Sequence, residues 1–137
     1  MDRVIITVPI DIVTGNMEYN QYVHDANVYW SDNLYWYKSR CEVLRYFDRN
    51  DEGYVFGRLN DDVYDLTPTF HVSRFSVKNK RTGFGSKIIK HLQSEYKHMT
   101  LWSNESSLSF YKKNGFVFTG LRNNVDGDIY TFGEWNS

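Results

Sequence analysis

Lys80-Arg81-Thr82-Gly83-Phe84-Gly85-Ser86 and Asn104-Glu105-Ser106-Ser107-Leu108-Ser109-Phe110-Tyr111-Lys112-Lys113-Asn114-Gly115-Phe116 decide how this chain is read. The first is a basic, glycine-punctuated turn that runs into an amphipathic helix. Phe84, Ile88, Leu92 and Tyr96 recur at four-residue spacing with Ile89 beside them, so a helix over 83–98 presents one apolar stripe. The second segment opens on Asn104, which suits a helix cap, and Glu105 favours the first turn. Lys112 and Lys113 suit the last turn, and Asn114-Gly115 can end it.

Working outward, Thr69 to Val77 alternates as a strand. His71, Ser73, Phe75 and Val77 are expected on one face, with Phe70, Val72, Arg74 and Ser76 on the other. Val4 to Ile10 is β-branched and reads as a first strand. Met17 to Lys38 is rich in Tyr and Trp, lacks Pro and Gly, and reads as one or two irregular helices. Cys41 to Asp48 and Tyr54 to Leu59 form a hairpin about the turn Asn50-Asp51-Glu52-Gly53. Asn60 to Pro68 reads as a polar loop. Met99 to Trp102 and Phe116 to Gly120 are short strands, Asn123 to Gly127 is a turn, and Asp128 to Trp135 is the last strand. That order fits an α/β fold with a mixed sheet and helices on its faces, a single domain over residues 1–137.

Composition narrows the function. A net charge of -1 provides no global basic field for nucleic acid. One cysteine, Cys41, forbids a disulfide within the chain and suits a reducing compartment. The four histidines show no metal-binding spacing, so no metal is expected. The first apolar run is short and broken by Pro9, and no segment approaches membrane-spanning length. These features lead to the expectation of a cytoplasmic protein that does not enter a membrane.

The turn has the chemistry of an anion cradle. The N–H groups at a helix start converge on one point in a favourable field. Gly83 and Gly85 let a ligand approach the backbone, Ser86 can add a hydroxyl, and Lys78, Lys80, Arg81 and Lys87 bring positive charge.

Their order and separation make the two segments similar to the cofactor site of the GNAT N-acetyltransferase superfamily. The family's turn is Gln/Arg-x-x-Gly-x-Gly or Gly-x-Ala. Lys80 stands at the Gln/Arg position, which keeps the charge and loses the fork of donors. The family's second pattern is Asn, a small residue, Tyr, then Gly-Phe, and Asn104, Ser107, Tyr111, Gly115 and Phe116 meet each position. The resemblance implies a GNAT-like mixed, mostly antiparallel central sheet of six to seven strands with helices on both faces. It implies acetyl-CoA as cofactor, with the pyrophosphate on Lys80, Arg81, Thr82, Gly83, Phe84, Gly85 and Ser86. The pantetheine arm then pairs with Phe75, Ser76 and Val77 at the splayed end of the fourth strand. Because the link from Val77 to Gly83 is shorter than the common form, a register on Ser73, Arg74 and Phe75 is the alternative. Asn104 and Ser107 would contact the arm, and Tyr111 would lie near its sulfur.

The activity so implied is direct transfer of an acetyl group from acetyl-CoA to an amine acceptor. A tyrosine is neutral at pH 7 and can protonate the departing thiolate, which makes Tyr111 the candidate general acid. His71 is the group on the fourth strand that titrates near neutrality, and it is the candidate base. Glu42 and Asp48 are weaker candidates. Cys41 reads as structural, because the family transfers directly. The acceptor pocket is expected from Met17 to Leu66, where Tyr29, Trp30, Tyr35, Trp36 and Tyr37 cluster, although packing of helices on the sheet explains the same cluster. Two further readings remain. One is an acyltransferase-like enzyme that modifies a nucleic acid base, as in phage DNA modification; such enzymes lack the glycine turn. The other is a non-catalytic module that binds CoA or a protein. A homodimer through a sheet edge fits any of the three.

Overall fold

The computed structural model describes residues 1–7, 39–60 and 68–137, with the backbone alone at 4–7, 39–43, 58 and 60. The expected helices of 17–38, their aromatic cluster, and the loop at 61–67 lie outside the described residues. So do the side chains of Cys41 and Glu42.

The described chain runs β1 (Asp2–Thr7), β2 (Ser39–Phe47), β3 (Glu52–Asn60), β4 (Thr69–Val77), α1 (Phe84–Glu95), β5 (His98–Asn104), α2 (Leu108–Lys113), β6 (Val117–Val125) and β7 (Asp128–Asn136). A short 3-10 turn, Glu105–Ser107, precedes α2. The seven strands form one mixed sheet in the order β1-β2-β3-β4-β5-β7-β6. Every neighbouring pair is antiparallel except β4 and β5, which run parallel.

The stripe on α1 does what its spacing requires. Phe84, Ile88, Ile89 and Leu92 are buried against Leu44 and Tyr46 of β2, Val55 and Leu59 of β3, Phe70 and Val72 of β4, and Met99 and Leu101 of β5. Full burial of each such side chain contributes roughly 1.5–3 kcal/mol. The helix stops sooner than its pattern suggests. Tyr96 is already extended at φ -117 and ψ 138, and its ring stacks on Phe70 with centroids 4.6 Å apart. The chain has to turn there, because His98 is paired with Thr69.

Strict alternation along β4 fails. Phe56 pairs with Arg74 but Gly57 pairs with Val72, so Ser73 is an extra residue in the strand. Such a bulge turns the rest of a strand over. Phe70 and Val72 sit in the core, and Phe75 and Val77 beyond the bulge pack against the same core. They therefore do not share a face with His71, as the alternation implied. β6 also outruns its expected end at Gly120. A second irregularity between Phe118 and Arg122 lets it continue to Val125, and Asp126 and Gly127, both with positive φ, close a tight hairpin into β7.

Candidate cofactor and transfer site

The parallel pair opens where β4 bulges. The β4–β5 ladder comprises Thr69↔His98, Phe70↔Met99, His71↔Thr100 and Val72↔Leu101. Past Val72, β4 pairs with β3 as far as Val77, and past Leu101, β5 pairs with β7 as far as Asn104. Each of the two parallel strands is followed by a helical segment at this end. A crevice at the carboxyl ends of parallel strands, faced by helix starts, is where an open α/β sheet takes an anionic ligand.

The basic turn lies at that crevice and is tied down from below. Asn79 Nδ2 donates to Asn50 O at 3.1 Å and to Asp51 Oδ1 at 3.0 Å, on the β2–β3 hairpin. Lys78 N donates to Glu52 O at 2.7 Å. Thr82 Oγ1 donates to Asn79 O at 3.2 Å. Arg81 has φ 66, an uncommon value for a residue with a side chain. Gly83 has φ 82 and stands immediately before α1, with nothing within 4 Å of where a β-carbon would point. The ground in front of the first turn is therefore open. That turn carries no acidic residue, and Lys78, Lys80, Arg81 and Lys87 are exposed around it.

Gly85 differs from Gly83. It is buried, and a β-carbon there would lie 3.2 Å from Phe110 and 3.6 Å from Phe75. Its bareness serves close packing between the helices, while its N–H still belongs to the open first turn. Phe84 turns its side chain into the core. Ser86 Oγ accepts from Asn114 Nδ2 at 3.2 Å, which leaves its hydrogen for donation.

The second segment is joined to the first by Phe110 and by Asn114, which the sequence marks only as a helix stop. Phe110 stacks on Phe75 with centroids 6.0 Å apart and covers Gly85. Asn114 is buried; besides Ser86 its side-chain amide donates to Phe110 O at 2.9 Å, and its backbone carbonyl accepts from Gln93 Nε2 of α1 at 2.8 Å. Asn104 is the expected cap, though of the 3-10 turn: its Oδ1 accepts from Ser107 N at 3.0 Å and Ser106 Oγ at 3.1 Å. At the far end of α2, Gly115 N donates to Lys112 O and Phe116 N to Tyr111 O, each at 3.1 Å, with Gly115 at φ 90. This is the left-handed helix stop that Asn114-Gly115 announced. Tyr111 is 8% exposed and meets Phe110 and Phe116 edge-on, with centroids at 5.1 and 5.6 Å.

His71 lies on the face turned away from α1. Its Nδ1 is 2.8 Å from Thr100 Oγ1, one pair before the parallel ladder ends. Thr69 Oγ1 lies 2.6 Å from His98 Nδ1, and His98 Nε2 lies 2.9 Å from Glu134 Oε1. Hydrogen bonds from Asn136 and His98 hold the Glu134 carboxyl below its ordinary range. On the β3 side of the crevice, Tyr54 is paired with Ser76 and donates to Glu52. Burial and that carboxylate push the Tyr54 hydroxyl upward. Asp48, one of the weaker base candidates, has its Oδ1 engaged by the N–H groups of Asn50 and Asp51 in the hairpin turn, which lowers it. Among the described residues no group of three metal-ligating side chains occurs, and no helix is long and apolar enough to cross a membrane.

The sheet order, the single parallel seam and the crevice define the fold of the GNAT N-acetyltransferases, and solved structures of that fold match the chain nearly end to end. It is similar to an acyl-CoA N-acyltransferase from Pseudomonas aeruginosa, with a TM-score of 0.59 and 11% identity over 98% of this chain and 99% of that one. It is similar to a chain of the NatC complex bound to Gag peptide and CoA, with a TM-score of 0.56 and 13% identity over 100% of this chain and 99% of that one. Tetrahymena GCN5 gives a TM-score of 0.55 and 17% identity over 99% of this chain and 96% of that one. No family model matches the sequence, and no curated protein matches it.

Proposed function

We propose that this chain is an N-acetyltransferase that moves an acetyl group directly from acetyl-CoA to an amine acceptor. The observation that carries the reading is the convergence at one crevice of three things: the ladder ending at Val72↔Leu101, the open first turn of α1, and α2 with Tyr111. In this reading the α1 turn and its cations hold the pyrophosphate, and β4 beyond the bulge lies along the pantetheine arm. Because the ladder already ends at Val72, both registers, Ser73–Phe75 and Phe75–Val77, lie within that stretch. Asn104 and Ser107 line the arm from the β5 side. The amine loses its proton to His71 and attacks the thioester carbonyl. The oxyanion is met by backbone N–H of β4, and Tyr111 protonates the leaving thiolate. The intact turn, the acidic balance of charge and the capped second segment favour this over a base-modifying enzyme. The NatC structure with bound CoA and the P. aeruginosa acyl-CoA enzyme are the neighbours that support the choice of cofactor.

The test is calorimetric titration with acetyl-CoA, with dephospho-CoA for comparison, followed by an acceptor screen with polyamines, peptides and DNA. Micromolar binding is expected. Gly83→Glu should weaken it about tenfold or more, because a carboxylate then faces the pyrophosphate. A folded protein that binds no CoA would sink the reading. CoA binding without turnover on any acceptor would favour the non-catalytic module.

A further inference from the structure

Ser86 is the third residue of α1 and is half-buried in the open first turn. Asn114, which ends α2, is buried, and its side-chain nitrogen carries two hydrogens. That nitrogen lies 2.9 Å from Phe110 O and 3.2 Å from Ser86 Oγ. A backbone carbonyl can only accept, so the contact with Phe110 O fixes which end of the Asn114 amide is nitrogen. Its second hydrogen then falls to Ser86 Oγ, which has to accept it. A hydroxyl that accepts through its oxygen still has one hydrogen to give. Among the described residues none takes that hydrogen, and the first turn holds no carboxylate that could.

We propose that Asn114 is a positioning residue for Ser86: its side-chain amide occupies the hydroxyl oxygen and so commits the Ser86 hydrogen to a phosphate ester at the first turn of α1. A helical serine otherwise turns its hydrogen back onto a carbonyl of the preceding turn. The Asn114 amide holds the oxygen in place before the ligand arrives, and a preorganised donor binds more tightly than one that must first be ordered. A hydroxyl that donates to a phosphate also becomes a better acceptor, so the Asn114 bond strengthens as the ligand binds. The same amide grips Phe110 O, and Gln93 of α1 grips the Asn114 backbone. The phosphate end of the crevice is thereby tied to α2, which carries Tyr111. The inference rests on the reading of the first turn as a pyrophosphate site; it does not depend on the acceptor or on the role of Tyr111.

The test is a double-mutant cycle of Ser86→Ala and Asn114→Leu in the intact chain, read by calorimetry with CoA and with inorganic pyrophosphate. Ser86→Ala is expected to weaken both about tenfold, the size of one hydrogen bond to a charged group. Ser86→Thr, which keeps the hydroxyl, should bind as wild type does. Asn114→Leu should weaken binding about threefold beside Ser86, the lower range for coupled neighbours, and have no further effect beside Ala at 86. Equal losses in the two backgrounds would make Asn114 a mere strut between the helices and overturn the inference, as would undiminished affinity in Ser86→Ala. If Asn114→Leu does not fold, NMR of the Asn114 side-chain amide decides instead. CoA should move the proton that Ser86 accepts downfield, and Ser86→Ala should abolish the shift; a wild-type signal indifferent to CoA overturns the inference. Coupling seen with pyrophosphate in a chain that binds no CoA would sink the cofactor reading and leave the positioning role standing. A chain that binds neither overturns both.

Discussion

Tyr111 has two jobs that one substitution can separate. It packs against Phe116 at the end of α2, and in the proposed mechanism it also supplies a proton. Tyr111→Phe keeps the ring and removes the hydroxyl. The expected outcome is a fall in kcat of about 100-fold, the lower range for one general acid, with affinity for acetyl-CoA unchanged in calorimetry. Undiminished turnover across the pH range would reduce Tyr111 to a packing residue. The place of Tyr111 in a short capped helix was legible from the chain because Asn104 and Gly115 stand at its two ends. The contact of Thr100 with His71 was not, since a threonine in a strand gives no sign of which side chain lies opposite it. Asn114 was visible as a helix stop only. Its side-chain amide and its backbone carbonyl also bridge α2 to α1, through Ser86 and Gln93, contacts between positions far apart in sequence.

Elements carry their own signals in the sequence, some plainer than others. In β4 the pairs Phe70 and Val72, then Phe75 and Val77, change parity at Ser73, and that break marks the bulge. Plain alternation hides that break, because apolar residues occur on both expected faces. The end of α2 was read correctly because the Asn-Gly pair has a specific backbone requirement. Gly115→Ala should cost about 1–2 kcal/mol, from the positive φ alone, and the new β-carbon would sit 3.2 Å from Trp135. A urea midpoint shift at constant m-value would measure it. β7 supplies a pH signature. The Glu134 carboxyl is lowered on folding, first by Asn136 and then by His98. A depressed carboxylate stabilises fully above its unfolded pKa, and that contribution is lost as pH falls through the folded value. Glu134→Gln should therefore lower stability by a constant amount at neutral and alkaline pH and flatten the acid limb of the stability curve below the ordinary carboxylate range. An acid limb identical to wild type would show that the bond contributes nothing.

At the scale of the molecule, the sheet is two antiparallel blocks, β1 to β4 and β5 with β7 and β6, joined by a parallel seam of four residue pairs. The order of elements was readable because periodicity is local. The insertion of β7 between β5 and β6 was not, because pairing across a sheet is decided by whole-face packing. A ligand in the crevice would touch both blocks and brace the seam. Acetyl-CoA is expected to slow hydrogen exchange along β4 and β5 together, with little change at the exposed edge strand β6. Protection confined to one block would mean that the ligand leans on a single wall.

That strand order also bears on how the protein is made. The ribosome delivers β6 before β7, yet β6 has no neighbour until β7 takes its place beside β5. In the interval the newly made strand Val117–Val125 waits outside the sheet with its backbone N–H and C=O groups unpaired by a neighbour, and its Val117, Leu121 and Val125 stay exposed even in the finished fold. The N-terminal block can meanwhile pair in order as it emerges. The C-terminal block can close only after residues 128–136 have left the exit tunnel. During synthesis, the nascent β6 strand is thus the segment most open to chaperones and to pairing with other chains.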